Sequence, residues 1–476
     1  MAFAVHDDGA KYSSFKHSGA LQTALTTTTA HSNGKFWSKS EAKSWIAFLF
    51  LGTCLVYCVR VTLPICVPVM AEQFAWDKKQ SGIVLGSFFW GYCLTQIIGG
   101  HTSDRLGGDK ILLLSATSWG SVITLTPLIV HWSSTPIIFL TLSRFLMGLL
   151  QGVFFPSLTS LFSSKVRESD RAFTSSAVCA GSQVGTLIIG AVGSVLLDWY
   201  GWESVFYFSG LPSILWAYCM WKYFLKGEDQ IISLENLGNN LVNSKDNKVM
   251  WRKFFGSAPV WSPGQRNEHR SEDSRRRAQS QAELETLLRA VIVAHVCISG
   301  TFFCLLSWMP TFFHDSFPES KGWVFNVIPW AVAVPFSFSG GILADRLINL
   351  GFDTAKVRKL MQVMAMGLSS IFIELLSYSG SYYQALICIS ASLGLQTFSH
   401  SGVSVNVQDL APSCAGALFG VMNTGGALVG VILVYCAGYL IETSGSWPSV
   451  FNLISIVNVF GLSIFVIFGQ AKRVDI

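Results

Sequence analysis

Residues 99–107 read GGHTSDRLG, and 241 positions later residues 340–348 read GGILADRLI. Each copy closes an apolar run with an Asp–Arg pair: Gly100, Asp104 and Arg105 in the first, Gly341, Asp345 and Arg346 in the second. A second echo runs in the same direction at an offset of 245. Gly181, Gly185, Gly193, Trp202, Ser204, Val205 and Phe206 recur as Gly426, Gly430, Gly438, Trp447, Ser449, Val450 and Phe451. Two apolar halves repeated head to tail predict two similar helical bundles related by an axis along the membrane normal. In each Gly-x-x-x-Asp-Arg stretch, glycine permits close helix approach. The Asp and Arg can pair across a helix end, so these six residues form a candidate conformational latch.

Working outward, the 476 residues are 51% hydrophobic and 13% charged, against roughly 25% charged for an ordinary soluble domain. That excludes a soluble or disordered chain. Apolar windows fall near 44–69, 80–100, 111–130, 135–162, 173–197 and 204–221, and again near 290–313, 323–343, 360–378, 383–407, 414–441 and 449–469. The expected fold is all-α: twelve transmembrane helices in two six-helix bundles, 44–221 and 290–469. A disordered tail (1–43), a polar central loop (222–289) and a short tail (470–476) complete the chain. The 11 cysteines lie mostly inside apolar runs without a CxxC, which suggests neither disulfides nor zinc.

Of 33 Lys and Arg, 28 fall on the side of the termini, 3 opposite (Lys78, Lys79, Lys321) and 2 inside spans. The positive-inside rule therefore makes both termini and the central loop cytosolic. The net charge of +5 is topological, and no nucleic-acid partner is expected for the Arg275, Arg276, Arg277 run.

The two basic residues inside spans are Arg60 and Arg144. An ionisable group there is costly and marks function by default. Each lies about 14 Å from the far end of its span at 1.5 Å per residue. Gly148, Gln151 and Phe155 share the Arg144 stripe within about 40° on a helical wheel, and Thr53, Tyr57 and Pro64 flank Arg60. Among 28 acidic residues only Glu374 falls clearly within a span, near its far end. The midplane is thus expected to hold unbalanced positive charge facing an aqueous cavity. An anion is the missing partner, since guanidinium grips phosphate or carboxylate bidentately. Moving one charge through ~100 mV is worth about 2.3 kcal/mol, so a polyanion can be accumulated by potential alone.

The Gly-x-x-x-Asp-Arg loops resemble the signature of the major facilitator superfamily. Beyond it, FFWGYCLTQIIGG (88–100), SRFLMGLLQGVFFPSLTSL (143–161), RESDR (167–171), GWESVFYFSG (201–210) and SCAGALFGVMNTGGALVG (413–430) resemble its anion-transporter branch. That branch holds type I phosphate, sialic acid, vesicular glutamate and vesicular nucleotide transporters. KGWVFNVIPW (321–330), GLQTFSHSGVSVNVQDLAPSCAG (394–416) and FGQAKRVD (468–475) look most like its vesicular nucleotide members. The resemblance implies alternating-access uptake of ATP, ADP and GTP into secretory vesicles or lysosomes. It further implies drive from the membrane potential, a vesicular proton pump as the indirect energy source, and chloride as activator rather than any bound cofactor.

The family's span-one and span-four arginines fall on Arg60 and Arg144. Its first and fourth helices line the cavity, which adds Tyr57, Gln151, Phe155 and, from span ten, His400 to the candidate substrate site; as proton carriers, His295 on span seven and His400 read first as core histidines. Glutamate transporters carry an acidic residue where this chain has Gln151, and their span-seven arginine has no match within 295–301. Proton-linked carboxylate transport loses support accordingly.

Residues 262–289 interrupt the family pattern. They read as an exposed charged loop, helix-prone near its end, with an acidic-dileucine spacing at Glu283, Leu287 and Leu288. The alternatives are a carrier of inorganic phosphate or organic carboxylates, or an anion channel. An enzyme is not expected, because the chain shows no nucleophile–base set, metal cluster or Gly-rich phosphate loop.

Overall fold

The computed structural model describes residues 36–76, 78–132, 135–225, 268–317 and 322–471. Most of the 1–43 tail and of the 222–289 loop lies outside them. Six helical rods build the first half: α1 Lys39–Gln73, α2 Lys78–Leu106, α3 Gly108–Trp132, α4 in two pieces (Pro136–Gly152 and Phe154–Lys165), α5 from Arg171–Ile188 through a π-turn to Ser194–Tyr200, and α6 Trp202–Cys219. Six more build the second: α7 Glu268–Ser316, α8 Gly322–Asn349, α9 from Thr354–Gln362 through a π-turn to Ser369–Leu376, α10 (Tyr382–Gln396, a 3-10 turn Thr397–His400, then Val403–Leu410), α11 Ala415–Ser444 and α12 Trp447–Phe468. Ten of them are long and apolar enough to cross a membrane; α6 and α10 fall short of that measure and complete the twelve rods.

Local chemistry sets the ends. Ser38 accepts from the Glu41 N–H at 3.3 Å, while the Glu41 carboxylate accepts from the Ser38 N–H at 2.8 Å, a reciprocal box that starts α1. The break in α4 comes one turn ahead of Pro156, which offers no N–H to the preceding carbonyls. Gly201 at φ +83° and Gly445 at φ +62° turn the chain into α6 and α12, one position out of register in the repeat.

The first bundle closes over Trp119, Trp202, Phe206, Leu63 and Met70. The second has one cluster around Met361, Val403 and Phe465 and another around Phe313, Ile389 and Phe451. Trp90, Leu94 and Ile98, four residues apart on α2, are instead exposed, as a face turned to hydrocarbon requires.

Two expectations change. Residues from Glu268 to Arg289 are helical and continuous with α7 rather than a loop, because this charged stretch has neither Gly nor Pro to stop propagation. Leu288 is buried in the second bundle, so it is not offered as a sorting signal. The glycines repeated at the offset of 245, which the sequence reading places at the seam between the bundles, are instead packing notches within each bundle. Gly181 and Gly185 face the backbone of Phe50 and Cys54 on α1, and Gly426 and Gly430 face Ser299 and Phe303 on α7.

A candidate anion site between the bundles

Arg60 leaves α1 into a cage of three rings, with its guanidinium carbon 4.8 Å from the Tyr57 centroid, 4.8 Å from Tyr92 and 5.2 Å from Phe88. Such rings hold a cation by their negative faces without neutralising it. Its Nε donates to Gln151 Oε1 at 3.3 Å, and its Nη2 is buried without a partner. Arg144, on the first piece of α4, is 3% exposed and makes no ion pair or hydrogen bond among the described residues, and its Nη2 is likewise orphaned.

Two lobes of a cavity meet at Arg60. One lies nearer the side of the termini, with a cavity volume of about 160 Å³, and the other, which Arg144 lines, has about 300 Å³. They share Tyr57, Arg60, Ser182 and Gln183 from the first bundle with Phe302, Phe303 and Trp330 from the second. No Asp or Glu lines either lobe among the described residues. Two positive charges therefore face a cavity shared between the bundles.

Of the candidate residues, Arg60, Arg144, Tyr57, Phe155 and His400 line the cavity. Gln151 does not: it is fully buried behind Arg60 and orients that side chain instead. His295 lines the lobe nearer the termini, whereas Trp308 donates to the Val434 carbonyl and packs on Trp447 away from it. The sequence reading missed Tyr92, Gln396 and Asn423. Polar residues inside apolar helices were the available signal, and Asn423 donates across the seam to Tyr92 (3.2 Å) and Gln96 (2.9 Å).

The latch residues lie on the side of the termini, where the bundles touch. Pairing of each Asp with an Arg was expected. The Asp104 carboxylate accepts instead from the N–H groups of Gly416 (3.0 Å) and Ala417 (2.8 Å), in the first turn of α11. Asp345 accepts from the Phe173 N–H (2.8 Å) in the first turn of α5. Each carboxylate thus caps a helix of the opposite bundle, where free N–H groups and the helix dipole favour an anion. Arg346 is exposed beside this contact. Gly100 and Gly341 sit at the crossings: a Cβ on the first would lie 2.1 Å from the Gly416 carbonyl oxygen, and one on the second 2.8 Å from the Phe173 Cα.

A buried charge cluster reinforces this closure. Arg171, at the start of α5, donates to Asp409 (3.2 Å) and to the Gln408 carbonyl (3.0 Å); Arg358 on α9 donates to the other Asp409 oxygen at 2.8 Å. Helix boundaries placed these groups outside spans, so hydropathy alone did not mark them. Substituting Gly100→Val is expected to force α2 and α11 apart, at an overpacking cost of roughly 1–3 kcal/mol. Spin labels on the ends of those helices at this side would then report a longer distance and a broader distribution.

The model of the Major Facilitator Superfamily matches residues 49–434, and the chain belongs to that family, a multi-pass membrane transporter and not an enzyme. Within it, the chain falls in the anion-transporter branch. It is 52% identical over 440 residues to the human "Voltage-gated purine nucleotide uniporter SLC17A9", covering 92% of this chain and 94% of that protein. The mouse protein of the same name is 53% identical, covering 94% of each. At 28% identity stands the zebrafish (Danio rerio) "Vesicular glutamate transporter 3", covering 89% of this chain and 72% of that one. Among solved structures, the proton:xylose symporter XylE aligns at a TM-score of 0.65 and 15% identity, covering 92% of this chain and 98% of that one, which bears on the fold alone.

Proposed function

We propose that this chain carries purine nucleotides, with ATP, ADP and GTP as substrates, into secretory vesicles or lysosomes by alternating access driven by membrane potential. The observation that carries the reading is the pair of unneutralised guanidinium groups in a cavity that, among the described residues, no carboxylate lines. Close relatives named as voltage-gated purine nucleotide uniporters support the choice of anion. Arg60 and Arg144 hold the phosphates while the bundles rock about the Asp104 and Asp345 caps. Termini in the cytosol follow from the distribution of Lys and Arg. Moving three net negative charges through ~100 mV yields on the order of 7 kcal/mol. The potential from a vesicular proton pump then suffices without a bound proton carrier, with chloride as an activator.

The test is uptake of labelled ATP by reconstituted liposomes under an imposed inside-positive potential. Expected is saturable uptake that needs chloride, collapses with the potential and is competed by ADP and GTP but not by glutamate or inorganic phosphate. Uptake of phosphate or glutamate that ATP cannot compete would overturn the reading in favour of another carrier of this branch, and single-channel currents would indicate a conductance.

A further inference from the structure

We infer that Gln396 on α10 pairs with the donor–acceptor edge of the nucleobase, an inference that rests on the nucleotide reading above. The cavity is chemically divided. Its two guanidinium groups come from α1 and α4 of the first bundle, while the facing wall of the second supplies no Lys or Arg among the described residues but the amides of Gln396 and Asn423, the imidazole of His400 and the rings of Phe302 and Trp330. A ligand held by its phosphates at Arg60 must therefore project its other end across the seam onto α7, α8, α10 and α11.

Gln396 and His295 are the side chains on that wall with every polar atom unpartnered among the described residues. Of the two, only Gln396 presents a donor and an acceptor on one planar amide. It is 4% exposed and lines the lobe nearer the termini, yet both its amide nitrogen and its amide oxygen lack a partner. Leaving buried donors and acceptors unmade is costly, so a group that satisfies both is selected for. The level fits as well. Arg60 is 13 residues from the end of α1 at Gln73, and Gln396 is 14 from the start of α10 at Tyr382, which places both about 20 Å from the far ends of their helices. A carboxamide presents one donor and one acceptor in a plane, the pattern that matches adenine bidentately. Phe302 and Trp330, 6.1 Å apart at 77°, border both lobes and offer apolar faces for the ring itself.

The experiment compares ATP with inorganic tripolyphosphate, which carries the charge but no base, on wild-type protein and Gln396→Leu in proteoliposomes. Wild-type uptake of ATP, inhibited by tripolyphosphate, tests the phosphate site and the nucleotide reading; its absence would sink that reading whatever the variant does. Given that result, Gln396→Leu should raise the KM for ATP roughly ten- to hundredfold and leave inhibition of the residual uptake by tripolyphosphate within about twofold, which also shows that the variant is folded. Gln396→Asn should fall between. An unchanged KM for ATP would overturn the inference. So would parallel loss of ATP affinity and tripolyphosphate inhibition, which would make Gln396 a support of the fold or of the phosphate site.

Discussion

Arg144→Ala is expected to abolish potential-driven ATP uptake, with a loss of at least about a hundredfold. Hydrogen bonds to charged groups are worth about 1.5–3 kcal/mol each, and a guanidinium can make two in parallel to one phosphate, where each 1.4 kcal/mol is about tenfold. The fold should tolerate the change. Arg144 is buried with no partner among the described residues, so truncation orphans no other group and removes a desolvated cation. The apparent melting temperature should therefore hold or rise, while stabilisation by added ATP disappears. Arg144→Lys keeps the charge and loses the fork, and intermediate uptake is expected. Uptake that survives Arg144→Ala at near wild-type rate would remove this residue from the site, leaving Arg60 as its cation.

The second large effect falls on stability. Asp409 is the common acceptor for Arg171 and Arg358, whose side chains are 8% and 0% exposed around its own 0%. Asp409→Asn strands two guanidinium groups in a buried site, and breaking a buried pair by removing one partner costs about 3–5 kcal/mol. Thermal unfolding in detergent should move down by on the order of 10 °C. Arg171→Gln makes an informative contrast, because it leaves the Arg358–Asp409 pair intact on α9 and α10 and removes only the strut from α5. It should cost less stability and loosen the contact between bundles. Equal melting temperatures for wild type and Asp409→Asn would show that the cluster does not hold this face closed.

Much of the architecture was legible because hydropathy and periodicity are local. Twenty apolar residues in water have one economical outcome, and a repeat at offsets of 241 and 245 dictates two like bundles. Arg60 and Arg144 stood out for the same reason, as charges in the middle of such runs. Their surroundings were a different matter. Gln151 shares the Arg144 stripe on the wheel, yet it lies behind Arg60, because α4 packs against α2 and a wheel does not say which neighbour each flank meets.

What the amino-acid order determined by itself was the set of helices, their duplication and the two stranded charges. Only the tertiary structure decided that Asp104 serves the N–H groups of Gly416 and Ala417 rather than its neighbour Arg105, that Asp409 joins three helices, and that both guanidinium groups of the cavity stand on the wall of one bundle. The physical reason is the range of the interactions. A helix forms from contacts three and four residues apart, whereas the Asp104 cap spans 312 and 313 residues of chain and the Arg171–Asp409 pair spans 238, partnerships that come into being when the bundles meet.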